Sequence, residues 1–352
     1  MKTTVSIDIE KMVRENIKRL TPYRSAREEL NEEDAILLDA NENPFPVGYN
    51  RYPDPFQRNL KMAISKKKDV AVDNIFLGNG SDEIIDLLIR AFCNPGRDSV
   101  LINTPTYGMY EVCAKINDIE ITRVDLDDEF QIDLEKLFAK TDNSKIVFIC
   151  SPNNPTGNLV KQDIILEILE NFRGIVLVDE AYIDFANSES LARYISSYQN
   201  LVVLQTFSKA LGMAGIRLGM AFANPKIIAI LNKIKYPYNV SQLNQKAALQ
   251  ALEDSNYKAT VETIKLQRKW LFNQLNQLNI VEKIWPSDAN FLLVKFQNHT
   301  DVFGFLKNEG IIVRNRSNEP NCEGCLRITV GKPLDNLLLI SCLKQFERIK
   351  FN

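Results

Sequence analysis

Histidine is almost absent: His299 is the only one in 352 residues. Any Ser-His-Asp or Cys-His nucleophile would have to use it. It stands in the polar stretch Gln297-Asn298-His299-Thr300-Asp301 with no motif around it, and reads as a surface residue. Cysteine is sparse too, with six scattered at positions 93, 113, 150, 322, 325 and 342. In a chain of this size these are buried thiols and not a disulfide frame. Cys322-Glu323-Gly324-Cys325 is a single CxxC with no second pair, so no metal is expected. No stretch approaches the roughly 18 uninterrupted apolar residues of a membrane span. Residues 1–15 alternate polar and apolar and lack the apolar core of a signal peptide. A soluble, cytoplasmic protein with no membrane partner is expected. Neither sign of charge dominates, with 43 Lys and Arg against 45 Asp and Glu, and Lys66-Lys67-Lys68 reads as a solvated helix end. That balance argues against a nucleic-acid surface.

What is present is a long alternation of strands and helices. Apolar runs bounded by turn formers occur at Ile75-Phe76-Leu77, Ser99-Val100-Leu101-Ile102, residues 119–124, residues 146–150, Ile175-Val176-Leu177-Val178 and Leu201-Val202-Val203-Leu204. Helical patterns such as 82–92 and 161–171 lie between several of them. Near-continuous apolar strands separated by helices predict an α/β fold with a mainly parallel sheet covered on both faces. Before this region comes an amphipathic arm. Leu37-Leu38 reads as a short strand that runs into a proline-rich loop, Tyr52-Pro53-Asp54-Pro55, which is either plain connection or a lid. After Pro237 the texture changes to a long helical pattern, 241–278. Short strands follow at 291–294, 311–314 and 326–330, then a last helix over 335–346. The expected division is an arm (1–29), a large domain (30–240) and a smaller α+β domain (241–352).

In an open parallel sheet, ligands bind beyond the carboxyl ends of the strands. The run at 75–77 ends in Gly78-Asn79-Gly80-Ser81-Asp82-Glu83 and a helix, which is either a phosphate cup or an ordinary helix start capped by Ser81 or Asp82. A dinucleotide fingerprint would want a third glycine where Glu83 stands. The run at 146–150 ends in Ser151-Pro152-Asn153-Asn154-Pro155-Thr156-Gly157, a stiff turn that fixes an asparagine amide. The run at 175–178 ends in Asp179-Glu180-Ala181-Tyr182, an acid at the strand tip and a phenol three residues on. The run at 201–204 leads to Thr206-Phe207-Ser208-Lys209 and then Gly212, Gly215, Arg217 and Gly219. Each alone could be turn chemistry or a cap. Together they set an amine, an acid, an amide, a phenol and an anion cup around one crevice. Pyridoxal phosphate needs all five: a lysine for its aldehyde, an acid to keep the ring nitrogen protonated, donors to the ring oxygen, and a phosphate site.

Residues 206–215, Thr-Phe-Ser-Lys-Ala-Leu-Gly-Met-Ala-Gly, resemble the lysine-attachment signature of class II aminotransferases within the fold-type I pyridoxal-phosphate enzymes. Residues 151–157, 179–182, 104–110 and 325–331 are similar to the histidinol-phosphate aminotransferases in particular. The likeness runs from about Tyr23 to the C-terminus. It implies a large domain with a seven-stranded sheet and a smaller C-terminal domain, with the arm packed on the small domain or on a partner subunit. It implies that Lys209 holds the cofactor and carries the proton, that Asp179 pairs with the ring nitrogen, that Asn154 and Tyr182 bond the ring oxygen, and that Tyr107 stacks on the ring. The cofactor phosphate falls to Ser81, Asp82, Ser208 and Arg217, with Tyr52 reaching in from the other subunit of a homodimer. Tyr23, Asn43 and Arg314 would face the substrate, and Arg327 would clamp a carboxylate. The implied reaction moves an amino group between L-histidinol phosphate and 2-oxoglutarate. Aromatic-amino-acid aminotransferases and threonine-phosphate decarboxylases share much of the pattern. Aminotransferase-like transcription regulators need an additional DNA-binding module, for which the stretch before residue 30 is too short and not basic.

Overall fold

A computed structural model describes residues 7–23, 36–254 and 256–351. Its large sheet has seven strands: β1 (Ile75–Asn79), β2 (Ser99–Thr104), β3 (Glu120–Asp125), β4 (Ser144–Cys150), β5 (Ile175–Asp179), β6 (Leu201–Thr206) and β7 (Leu218–Ala223). Their order is β1-β7-β6-β5-β4-β2-β3. β3, β2, β4, β5 and β6 pair in parallel, while β7 runs antiparallel to both β1 and β6. β1 therefore points the same way as β6. β5, β6 and β7 are buried at every position, as a sheet with both faces covered requires. Alternate residues feed two separate cores. Val176, Val178, Val203 and Phe222 pack with Leu60 and Ile64 on one face. Leu177, Val202, Leu204 and Ala221 pack with Ile84, Leu88 and Ile227 on the other. β7 is the strand that the apolar runs above omit, since Gly219, Ala221 and Ala223 give it a weak strand signal.

A second, antiparallel sheet holds β8 (Val281–Ile284), β9 (Phe291–Phe296), β10 (Arg314–Asn315) and β11 (Cys325–Thr329) in the order β10-β11-β9-β8. The helices Asn256–Leu275, His299–Asn308 and Pro333–Phe351 cover it.

Three expectations about elements change. Leu37-Leu38 forms no strand, and Ile36 and Leu38 are exposed. The segment 311–313 is irregular with Ile312 78% exposed, so the buried strand expected before Arg314 is reduced to the two-residue β10. The helical run from 241 breaks into Gln242–Glu253 and Asn256–Leu275, where the Asp254 carboxylate accepts from the Asn256 N–H. The first of these helices, assigned to the second domain, packs Ala248, Leu249 and Leu252 on the large sheet's core. The described part of the arm does not sit on the small sheet. Ile9 and Val13 are buried in the large sheet's second core, and the Arg14 N–H donates to the Ala91 carbonyl at 3.0 Å. Its apolar residues are few and closely spaced, so they bury best in the groove beside the helices Ser81–Phe92 and Pro225–Ile234.

Candidate active site

The carboxyl ends of β1, β4, β5 and β6 lie along one edge of the sheet, and the reversed β7 brings its first residues to the same edge. A cavity of about 120 Å³ opens there. Ser81, Asp82, Tyr107, Asn154, Asp179, Tyr182, Ser208, Lys209 and Arg217 all line it, joined by Cys150, Ala181, Thr206 and Ala214.

Asp179 closes β5 and is buried. Its Oδ2 accepts from the Tyr110 hydroxyl at 2.7 Å and its Oδ1 from the Ala181 N–H at 3.0 Å. Burial pushes the carboxyl up to about 6, and these two donors pull it partly back. Tyr110 is itself fully buried, stacked on Phe148 with ring centroids 4.7 Å apart, and burial holds its phenol in the protonated, donating form. A buried tyrosine needs a partner for its hydroxyl. Tyr110 lies inside the stretch 104–110 singled out above, but its partner stands 69 residues away and only the fold shows it.

Lys209 sits in the turn after β6. The Ser208 N–H bonds Thr206 Oγ1 at 3.1 Å and the Gly212 N–H bonds the Lys209 carbonyl at 2.9 Å, which fixes the turn. The amine lies 5.6 Å from the centroid of the Tyr182 ring. Burial and then the Arg327 charge lower its proton affinity, with Asp179 opposing, so the amine is closer to the neutral, nucleophilic form. Tyr182 packs edge-on against Phe291 of β9 at 5.1 Å, which ties the cavity wall to the small sheet.

The cup at the start of helix Ser81–Phe92 is open. Its N-cap is Gly80, with φ 80° and no side-chain cap, so neither Ser81 nor Asp82 caps the helix and its first N–H groups face the cavity edge. Gly219 makes the approach possible: a Cβ there would lie 2.4 Å from the Ser81 nitrogen. Arg217 precedes β7, with Nη2 3.5 Å from Asp82 Oδ2, and Asp82 Oδ1 also accepts from the Tyr107 hydroxyl at 3.1 Å.

Asn154 is buried in the turn after β4, where Asn153 Nδ2 anchors to the Pro105 carbonyl at 2.9 Å. Its Oδ1 accepts from Arg327 Nη1, so a side chain of β11 crosses to the large sheet. The Arg327 guanidinium lies over Phe291 at 5.3 Å, and its Cα register partner is Arg314. Paired residues share a face, so the two cations stand side by side, though Arg314 is exposed and does not line the cavity.

Three candidates lie elsewhere in this chain. Tyr52 stacks on Tyr238 at 4.4 Å in a separate cleft of about 470 Å³. Tyr23 is 71% exposed, and the residues after it, 24–35, lie outside the described ones. Asn43 is exposed and holds its own loop, accepting from the Phe45 N–H at 3.0 Å.

Taken together, a buried carboxylate, a lysine amine, an amide, phenols and an uncapped helix start beside an arginine fit a flat cofactor with a basic ring nitrogen and a phosphate. Among the described residues no group of three or more His, Cys, Asp or Glu side chains could hold a metal ion.

Residues 22–339 match the family Aminotransferase class I and II. Histidinol-phosphate aminotransferase of Parabacteroides distasonis is 50% identical over 342 residues, covering 97% of this chain and 99% of that protein. The crystal structure of the histidinol-phosphate aminotransferase from Clostridium acetobutylicum superposes with a TM-score of 0.78 at 29% identity, over 85% of this chain and 91% of that one. The fold is also that of histidinol-phosphate aminotransferase from Sinorhizobium meliloti in complex with pyridoxal-5'-phosphate, with a TM-score of 0.78 at 23% identity over 85% and 83% of the two chains.

Proposed function

The chain belongs to the class I and II aminotransferases, and from that premise we propose that it transfers the amino group of L-histidinol phosphate to 2-oxoglutarate, giving imidazole acetol phosphate and L-glutamate in histidine biosynthesis. The observation that carries the chemistry is the buried Asp179 carboxylate sharing one small cavity with the Lys209 amine. The near-full-length likeness to histidinol-phosphate aminotransferases at 47–50% identity supports the substrate.

When bound, pyridoxal phosphate supplies an electrophilic carbon and a pyridinium ring that draws electrons from the substrate. Lys209 would hold it and would move the proton at the substrate carbon. Asp179, oriented by Tyr110 and the Ala181 N–H, would keep the ring nitrogen protonated. Asn154 and Tyr182 would bond the ring oxygen and Tyr107 would cover the ring face. Ser81, the Asp82 N–H, Ser208 and Arg217 would hold the phosphate. Arg327 would take the anionic end of either substrate, with Arg314 beside it, and the resemblance assigns Tyr23 and Asn43, which lie away from this cavity, to the substrate as well. The functional unit is a homodimer in which Tyr52 of the partner subunit completes the phosphate site. No helix among the described residues is long and apolar enough to cross a membrane, and we place the reaction in the cytoplasm.

A panel of amino donors with 2-oxoglutarate, read as glutamate formed, tests this. Histidinol phosphate is expected to give the highest kcat/KM, and Arg314→Ala to weaken it by about tenfold or more while leaving phenylalanine little changed, the effect of one bond to a charged group. A preference for phenylalanine, or carbon dioxide released from threonine phosphate, would overturn the substrate and leave the family.

A further inference from the structure

Where a dinucleotide fingerprint would have its third glycine, Glu83 stands in the first turn of helix Ser81–Phe92, outside the lining of the Lys209 cavity. Its Oε2 reaches back to accept from the Asn79 N–H at the end of β1. In a capping box the acid at the third helical position bonds the N-cap's own N–H; here it reaches one residue further. The reciprocal half of the box is missing, because the N-cap is Gly80 and makes no side-chain bond. The loop from Asn79 to Glu83 is thereby closed without using the helix's own first N–H groups. The same Oε2 accepts from Asn239 Nδ2 at 2.9 Å, and Nδ2 also donates to the Leu77 carbonyl at 3.1 Å. Asn239 is held from its other end too, where Oδ1 accepts from Lys235 Nζ at 3.2 Å and from Gln57 Nε2 at 3.3 Å. Lys235 closes helix Pro225–Ile234 and donates to the Pro55 carbonyl at 2.7 Å. The Asn239 amide has one orientation as a result, since a lysine amine only donates while a carboxylate and a carbonyl only accept.

A helix start binds an anion through backbone N–H groups, so its affinity depends on how firmly that backbone is held. We propose that Glu83 and Asn239 are positioning residues for the cofactor phosphate: neither touches it, and the bond between them sets the geometry of the N–H groups that do. The inference rests on the reading that Ser81, Asp82 and Arg217 hold that phosphate. It gives the two adjacent acids different tasks, with Asp82 lining the cavity and Glu83 turned back to the end of β1. It also ties the cup to the end of helix Pro225–Ile234, more than 140 residues further along the chain.

Absorbance titration of the apoprotein with pyridoxal phosphate and with 5'-deoxypyridoxal tests it, because the two share ring and aldehyde and only the first carries a phosphate. The ratio of their dissociation constants is the phosphate's share of the affinity, and in the wild type it is expected to favour pyridoxal phosphate strongly. Glu83→Ala removes the acceptor, and Asn239→Asp sets two carboxylates face to face. Each is expected to cut the ratio about tenfold, the effect of one hydrogen bond, with 5'-deoxypyridoxal bound as in the wild type. Glu83→Gln keeps an oxygen for both donors and is expected to keep the ratio. Added to Asn239→Asp it is expected to recover most of the loss, since the glutamine amide then donates to the aspartate. A ratio unmoved in Glu83→Ala and Asn239→Asp, an equal fall in affinity for both ligands, as a merely structural role would give, or no recovery in the double variant overturns the proposal. A wild type that binds the two ligands alike overturns the reading of the cup itself, and the proposal with it.

Discussion

At the residue scale, Asp179 is the group whose ionisation sets the site. Its carboxyl is raised from 3.8 to about 6, so between those values the native state holds a proton that the unfolded chain has lost. That contribution to stability is fully present below about pH 4 and gone once the pH passes about 6, a difference on the order of 3 kcal/mol. A cationic ring nitrogen placed against the carboxylate reverses the balance. Cofactor affinity is therefore expected to rise from pH 5 to pH 7 with a midpoint near 6, as read by absorbance titration of the apoprotein. Asp179→Asn should flatten that profile and lower turnover by orders of magnitude. Tyr110→Phe removes one of the two donors on the carboxylate and should move the midpoint upward with about a tenfold loss of affinity. A midpoint unmoved in Tyr110→Phe would show that the hydroxyl does not tune the acid. Lys61 gives the opposite sign. Burial and the nearby Lys235 lower its amine to about 8, so its cost to the fold is full below pH 8 and fades as the pH rises toward 10.5. Lys61→Met is expected to raise thermal stability at pH 7 by on the order of 1–3 kcal/mol, with a smaller gain at pH 10.

At the scale of elements, the proposed phosphate cup depends on two backbones passing closer than side chains allow. Gly80 has a φ that other residues rarely adopt, and Gly219 on β7 faces the first N–H of helix Ser81–Phe92 with no room for a Cβ. Gly219→Ala pushes on backbone and not on a flexible side chain, so it should destabilise by about 1–3 kcal/mol and weaken cofactor binding along with it. Chemical denaturation and cofactor titration on the same variant check both. A variant of full stability and full affinity would mean that β7 can shift freely. Here the sequence was only half readable. The motif after Leu77 pointed to a cup or a capped helix. The choice rests on Gly80 occupying the cap position, and that follows from where β1 ends after pairing with β7.

At the scale of the whole molecule, the cavity is built from both sheets: Arg327 of β11 bonds Asn154 of the large sheet, and Phe291 of β9 supports Tyr182. The loop carrying Tyr52 lies apart from it and, with its surroundings, exposes Phe45, Val47, Tyr49, Tyr236 and Leu243. Exposed aromatics gathered in this way suit burial against a second copy. Sedimentation is expected to show a dimer. Mixing Lys209→Ala subunits with Tyr52→Ala subunits should restore part of the activity, because in a hybrid one site keeps both native residues. No recovery on mixing, with hybrids shown to form, would place Tyr52 in its own subunit's site or in none.

The linear chain by itself determined the α/β alternation and the residues at the ends of β4, β5 and β6. Period-two burial and the glycine- and proline-rich turns after apolar runs are local signals, written within a few residues of one another. Tertiary structure decided the rest. Arg217 lies at the site because β7 is antiparallel and therefore begins, instead of ending, at the active edge. Tyr110 meets Asp179, and Arg327 meets Asn154 at a separation of 173 residues, only after the sheets assemble. No window of sequence carries those distances, since they depend on which strands neighbour one another.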